Sequence, residues 1–209
     1  MPVFASDDFN GSFGTNISTW NPAWVQVPDF TSVILQIQTT QGVGRYQFAN
    51  YFHSAVPPSA DYSVRATFRV RSATGLGRLG LSARMSAAEY TQYRVELRAG
   101  TTSTPLAGSM WLYRINAGTL TELATKSFTI AAQEYAAELR VVGDQVEFWL
   151  DGVQHFAVTD PSPITDAGHA GIYQRNYYTQ NDFLIDDFVA ESLAAAPERQ
   201  RSRLILTPW

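Results

Sequence analysis

Two pairs of adjacent aspartates, Asp7-Asp8 in ASDDFNG and Asp186-Asp187 in FLIDDFVAES, have the residue type and spacing that suggest chemistry. Paired carboxylates serve as general acid and base, or as oxygen ligands for a hard cation. Both pairs lie in stretches that alternate like strands, where consecutive side chains leave opposite faces of a sheet. Neighbours on opposite faces cannot flank one sugar, so neither pair is expected to act as a local dyad. By the same rule Ile185 and Phe188 are expected to face opposite ways. A metal reading survives. If the first and last strands are neighbours, Asp7 or Asp8, the Asn10 side chain and Asp186 or Asp187 converge on a structural calcium, helped by backbone carbonyls. The alternative has one aspartate of each pair capping a turn or pairing with an arginine while the other is solvated.

Other catalytic constellations are missing from the sequence. Cysteine is absent, which removes disulfides, thiol nucleophiles and thiolate zinc sites together. His53, His155 and His169 stand in unrelated contexts, and no Gly-x-Ser-x-Gly elbow, His-x-x-x-His pair or phosphate-cradling loop accompanies them. No catalytic residue is assigned, no cofactor is required, and the chain is expected not to be an enzyme.

The elements that must position any site are strands. SVRATFRVR (63–71) puts Val64, Ala66, Phe68 and Val70 on one face and Arg65, Thr67, Arg69 and Arg71 on the other. RLGLSARM (78–85) turns Leu79, Leu81, Ala83 and Met85 inward, and YRVELRA (93–99) does so with Tyr93, Val95 and Leu97. Further strands are expected at 33–38, 45–49, 108–115, 120–128, 135–142, 145–150, 153–158, 168–174 and 183–191. Gly143-Asp144 and Asp151-Gly152 mark two hairpins, the second with the composition of a type I′ turn. About a dozen short strands without intervening helices predict an all-β, antiparallel two-sheet sandwich of the jelly-roll kind.

The outward faces of these strands carry a mixture suited to a glycan. Arg65 and Arg69 are followed by Arg84, then Arg94, Glu96 and Arg98, then Trp111 and Tyr113, and finally Glu147 and Trp149. Flat aromatic faces pack on sugar C–H groups while Arg and Glu direct hydrogen bonds. Arg84, Arg94, Glu96, Trp111, Tyr113 and Trp149 are therefore candidate ligand contacts. Tyr177 and Tyr178, in the polar stretch YQRNYYTQND, are candidates as loop residues on a rigid scaffold. The bland reading is a solvated arginine face with partly buried tryptophans.

Residues 1–192 read as one domain and 193–209 as a linker and arm. The arm ends in RSRLILTPW, and Arg201, Arg203, Leu204, Ile205, Leu206 and Trp209 are candidates for docking on another subunit. A net charge of −4 and a pI near 5.3 argue against nucleic acid as partner, and the basic set is fourteen arginines with one lysine, Lys126. The arginine bias also points to a high-GC source genome. No apolar run approaches the ~20 residues that cross a bilayer, and the first residues lack the charge and apolar core of a secretory signal.

The stretches DDFNGSFGTNISTW, VEFWLDGVQHFAV, GHAGIY and IDDFVAE resemble the concanavalin A-like lectin/glucanase superfamily, in its laminin-G-like branch. The resemblance covers about Phe4–Glu191. It implies a jelly roll whose first and last strands lie together. It also implies a kind of module found in tail and other virion proteins of bacteriophages. Laminarinase-type members carry Glu-x-Asp-x-x-Glu, with a retaining pair ~5–5.5 Å apart. Here no glutamate has an aspartate two positions on: Glu96 is followed by Arg98, Glu138 by Arg140 and Glu147 by Trp149. The expectation is a non-catalytic structural or binding module of a phage particle, a decoration or minor tail-type protein. It would attach to other virion proteins, or to copies of itself, through the arm, and engage host-surface glycans. A free bacterial lectin at the cell surface and a glycan-active enzyme lacking the usual motif are the alternatives.

Overall fold

The computed structural model describes residues 2–10, 16–27, 47–71, 77–86, 88–99, 106–176 and 183–193. The expected strand at 33–38 lies outside them. In chain order the elements begin with β1 (Val3–Asp7), α1 (Ile17–Trp20), β2 (Trp24–Gln26), β3 (Gln47–His53) and β4 (Tyr62–Val70). Next come β5 (Gly77–Ser86), β6 (Thr91–Ala99), β7 (Leu106–Asn116), β8 (Thr119–Ile130) and β9 (Glu134–Val142). The last are β10 (Gln145–Leu150), β11 (Val153–Thr159), β12 (His169–Asn176) and β13 (Phe183–Ser192). The strands form two antiparallel sheets: six in the order β1-β13-β4-β9-β10-β11 and seven in the order β2-β3-β12-β5-β6-β7-β8. The expected all-β sandwich is the observed architecture.

Alternation explains how the sheets close on each other. Val64, Phe68, Leu139, Val146 and Phe148 from one sheet meet Leu81, Val95, Leu112 and Ile172 from the other in a single core, all fully buried. Each such side chain contributes ~1.5–3 kcal/mol by leaving water. The Asp151-Gly152 turn has positive φ at both residues (51° and 75°), as a type I′ hairpin requires. The single helical turn α1 starts at Asn16, whose side-chain oxygen accepts the Ser18 N–H at 3.1 Å. As the family resemblance implied, the first and last strands pair, with Val3 opposite Glu191 and Asp7 opposite Phe188.

Among the irregularities of register in the described strands, the bulges at Arg84 and Asp187 correct the sequence reading. Arg84 has φ of 51°, and the β5–β6 register shifts between Ala83 and Ser86. Beyond that shift Met85 leaves the main core and joins a separate small cluster with Val27 and Phe52. Asp187 has φ of 50°, and the β13–β4 register shifts between Asp186 and Val189. The extra residue brings Ile185 and Phe188 into the same core, not to opposite faces.

Candidate functional site

The aspartate pairs are divided in role. Asp7 is buried at the end of β1 and works as a hub: Oδ2 accepts the Trp24 Nε1–H at 2.7 Å and the Asn21 Nδ2–H at 2.9 Å, and Oδ1 accepts the Phe9 N–H at 2.8 Å. Asp8 is exposed and accepts from the Asn10 side chain at 2.8 Å. Asp186, nearly buried, pairs with Arg69 at 3.0 Å, while Asp187 accepts the Thr67 hydroxyl at 3.0 Å from an exposed position. Burial is the main cause that lifts the Asp186 carboxyl to about 6. The neighbouring Asp187 and Asp8 charges add to it, and the Asp187 N–H and Arg69 oppose it.

Asp7, Asp8 and Asp187 do share the wall of one cleft of about 490 Å³, with Trp20, Asn21 and Phe188. Both Asp7 oxygens face N–H donors, and among the described residues no group of three or more His, Asp or Glu side chains is placed to hold a metal.

A second groove, of about 560 Å³, adjoins this cleft through Asp187 and Val189 and runs over the outer face of the six-stranded sheet. β4, β9 and β10 build it. Trp149 projects outward because Val146, Phe148 and Leu150 fill the core. The β9–β10 register sets Trp149 opposite Glu138 and Glu147 opposite Arg140. Arg140 grips both oxygens of Glu138 at 2.8 Å and lies over the Trp149 ring at 4.8 Å, and the indole N–H donates to Glu147 at 3.0 Å. Arg65, held by Glu191, and Thr67 form the opposite wall. The result is a half-buried indole under a fixed guanidinium, with the Glu138 and Asp187 carboxylates and the Thr67 hydroxyl around it.

Arg94, Glu96, Trp111 and Tyr113 stand elsewhere, on the outer face of the seven-stranded sheet. They therefore share no platform with Trp149, which faces away on the other side of the sandwich. Glu96 is fully buried there. It receives Arg94 at 2.8 Å, Arg98 at 2.7 Å and Arg78 at 3.3 Å. Burial pulls the Arg94 guanidinium down, but Glu96 and the adjacent tyrosines outweigh it and hold the group above its ordinary value. Trp111 and Tyr113 stack at 5.8 Å, and Arg98 lies over the Trp111 ring at 4.6 Å.

Arg84 is not a surface contact at all. The bulge turns it into the molecule, 2% exposed, where its guanidinium donates to the Ala60, Gly143 and Ile164 carbonyls and pairs with Asp61 at 3.3 Å. Tyr177, Tyr178, Arg201, Arg203, Leu204, Ile205, Leu206 and Trp209 lie outside the described residues. Sequence reasoning passed over Arg140 and Glu138 as groove residues. The signal was present: counting back and forward from the Gly143-Asp144 turn places Arg140 against Glu147 and Glu138 against Trp149.

No protein-family model matches the chain, and no curated protein matches it by sequence. Solved structures do. A carbohydrate-binding module from Bacillus subtilis, CBM66, matches with a TM-score of 0.57 at 15% identity, over 81% of this chain and 96% of that one. The CBM2 module of the Dit protein of Lactobacillus casei BL23 phage J-1 matches at 0.62 and 12%, over 90% and 94%. The transglycosylase Crh5, in complex with NAG, matches at 0.60 and 10%, over 94% and 89%. The fold is that of the lectin-like jelly rolls. Binding modules and an enzyme share it, so function rests on the site and not on the sandwich.

Proposed function

We propose that this chain is a non-catalytic carbohydrate-binding module of a phage particle, a decoration or minor tail-type protein. It holds a host-surface glycan in the Trp149 groove and attaches to other virion proteins, or to further copies of itself, through its C-terminal arm. The groove is the observation that carries the reading. A sugar ring can rest against the part of the indole that Arg140 leaves open while Arg140, Glu138 and Thr67 meet its hydroxyls, and Arg140 is already ordered by two carboxylate bonds. The carboxylates that line the groove are engaged, Glu138 by Arg140 and Asp187 by Thr67, and Glu147 behind Trp149 accepts its indole N–H. That arrangement suits binding better than an acid and base facing each other across a bond. The likeness to a phage Dit module, the arginine-rich basic set and the apolar arm support the particle assignment.

Glycan-array binding of the wild type and of Trp149→Ala tests the proposal. The variant is expected to lose binding at least tenfold with an unchanged melting temperature. Equal binding by both proteins would remove the groove from the reading. The enzyme reading draws on one observation, the raised Asp186 carboxyl at about 6. Polysaccharide turnover that disappears in Asp186→Asn would favour it.

A further inference from the structure

The outer face of the seven-stranded sheet concentrates positive charge. Strand register sets Arg175 of β12, Arg78 of β5 and Arg98 of β6 side by side in one row across three strands. Like charges directly opposite each other on neighbouring strands are unfavourable. Arg78, Arg94 and Arg98 all converge on the single carboxylate of Glu96, which leaves the quartet with a formal charge of +2. Glu96 is fully buried and Arg94 has 6% of its side chain exposed, whereas Arg78 and Arg98 keep 24% and 19% open to an incoming group.

The guanidiniums are held in place before any ligand arrives. Arg94 lies over the Tyr173 ring at 4.2 Å, and Arg98 donates to the Tyr113 hydroxyl at 2.6 Å while covering Trp111. Three further polar side chains on this face are buried without a partner: both amide atoms of Asn50 and of Gln92, and the Ser82 hydroxyl. Asn50 stands opposite Tyr173, Ser82 opposite Arg94, and Gln92 precedes Arg94 by one step of the same face. Buried polar groups are nearly always satisfied, so these side chains are costly where they stand; the part of the face open to solvent is that of Arg78 and Arg98.

We infer that this face is a second binding site, selective for an anionic glycan whose carboxylate or phosphate substituent is taken between Arg78 and Arg98. The N–H groups that these two guanidiniums leave unused can donate charge-assisted hydrogen bonds to an oxyanion. Trp111, half-buried and directly opposite Glu96 on the neighbouring strand, offers its uncovered edge to the sugar that bears it. The site is independent of the Trp149 groove, on the opposite side of the sandwich.

Calorimetric titration of the intact protein with trigalacturonate, with its uncharged reduced counterpart and with inorganic phosphate is the test. The acidic trisaccharide is expected to bind at least tenfold tighter than the neutral one, to weaken as salt rises, and to exceed free phosphate. Arg78→Gln is expected to lose that preference, and Trp149→Ala to keep it. Equal affinity for acidic and neutral sugars, binding of neither, or phosphate binding as tight as the trisaccharide would overturn the inference in the wild type alone, whatever the stability of the variant. A folded Arg78→Gln that binds the acidic sugar as wild type does would also overturn it. Loss of glycan binding in the Trp149 groove leaves this site untouched, so the two readings fail separately.

Discussion

Asp7 and Asp186 begin as equivalent candidates in the sequence and end with opposite duties. Asp7 satisfies three donors that its neighbours bury, among them the indole N–H of Trp24, itself 1% exposed. Asp7→Ala leaves those donors unpaired, and a loss of about 3 kcal/mol in urea denaturation is expected. Asp186 behaves differently because folding raises its carboxyl from 3.8 to about 6. The folded state then holds more protons than the unfolded state between those values, so stability declines as pH rises through that window. Compared at pH 4 and pH 7, Asp186→Asn should gain stability relative to wild type at the higher pH. Parallel pH profiles for the two proteins would contradict the assignment. What the sequence could reveal here was which residues carry charge. Their partners were hidden, because Trp24, Asn21 and Arg69 come from distant segments.

At the level of elements, period-two alternation recovered most strands and their inward faces, including Val146, Phe148 and Leu150, which push Trp149 outward. It failed at the bulges of Arg84 and Asp187, and for a physical reason. Arg84 and Asp187 take positive φ without being glycine, so nothing in the residue type announces the phase change. Arg84 consequently reads as a surface residue when it is the interior clamp on the Ala60, Gly143 and Ile164 carbonyls. Gly168 makes that bulge possible. It has φ of 53°, and a Cβ there would lie 2.5 Å from the Met85 nitrogen and collide with the Arg84 carbonyl carbon. Gly168→Ala should therefore destabilise the fold by more than 2 kcal/mol, an order of magnitude typical of overpacking plus backbone strain. A melting temperature within a degree of wild type would show that the bulge can relax.

On the scale of the whole molecule, the sheet order decides which candidates can cooperate. Strand assignment alone places Trp111 and Trp149 on outward faces, and both are. Only the pairing of β10 with β9 and of β7 with β6 shows that those faces look in opposite directions. Chain order does not encode that partition, since β9 and β10 follow β8 directly yet belong to the other sheet. The proposed arm makes a prediction at this scale too. Deleting Pro197–Trp209 should abolish incorporation into particles and leave glycan binding and the melting transition intact. Incorporation of the truncated protein at wild-type levels would refute docking through the arm.

The pairing of β1 with β13 also has a mechanical side. Because Val3 lies opposite Glu191, and the Ser192 N–H reaches the Pro2 carbonyl at 3.0 Å, the flanking chain departs from both strands at the same end. Tension applied between residues 2 and 193 would open the ladder one hydrogen bond at a time, as a zipper opens, instead of shearing all of them together. The Asp7–Trp24 link stands at the far end of that ladder. A pulled molecule should thus yield at low force over the length of β1 and then resist abruptly, with Asp7 as the stop.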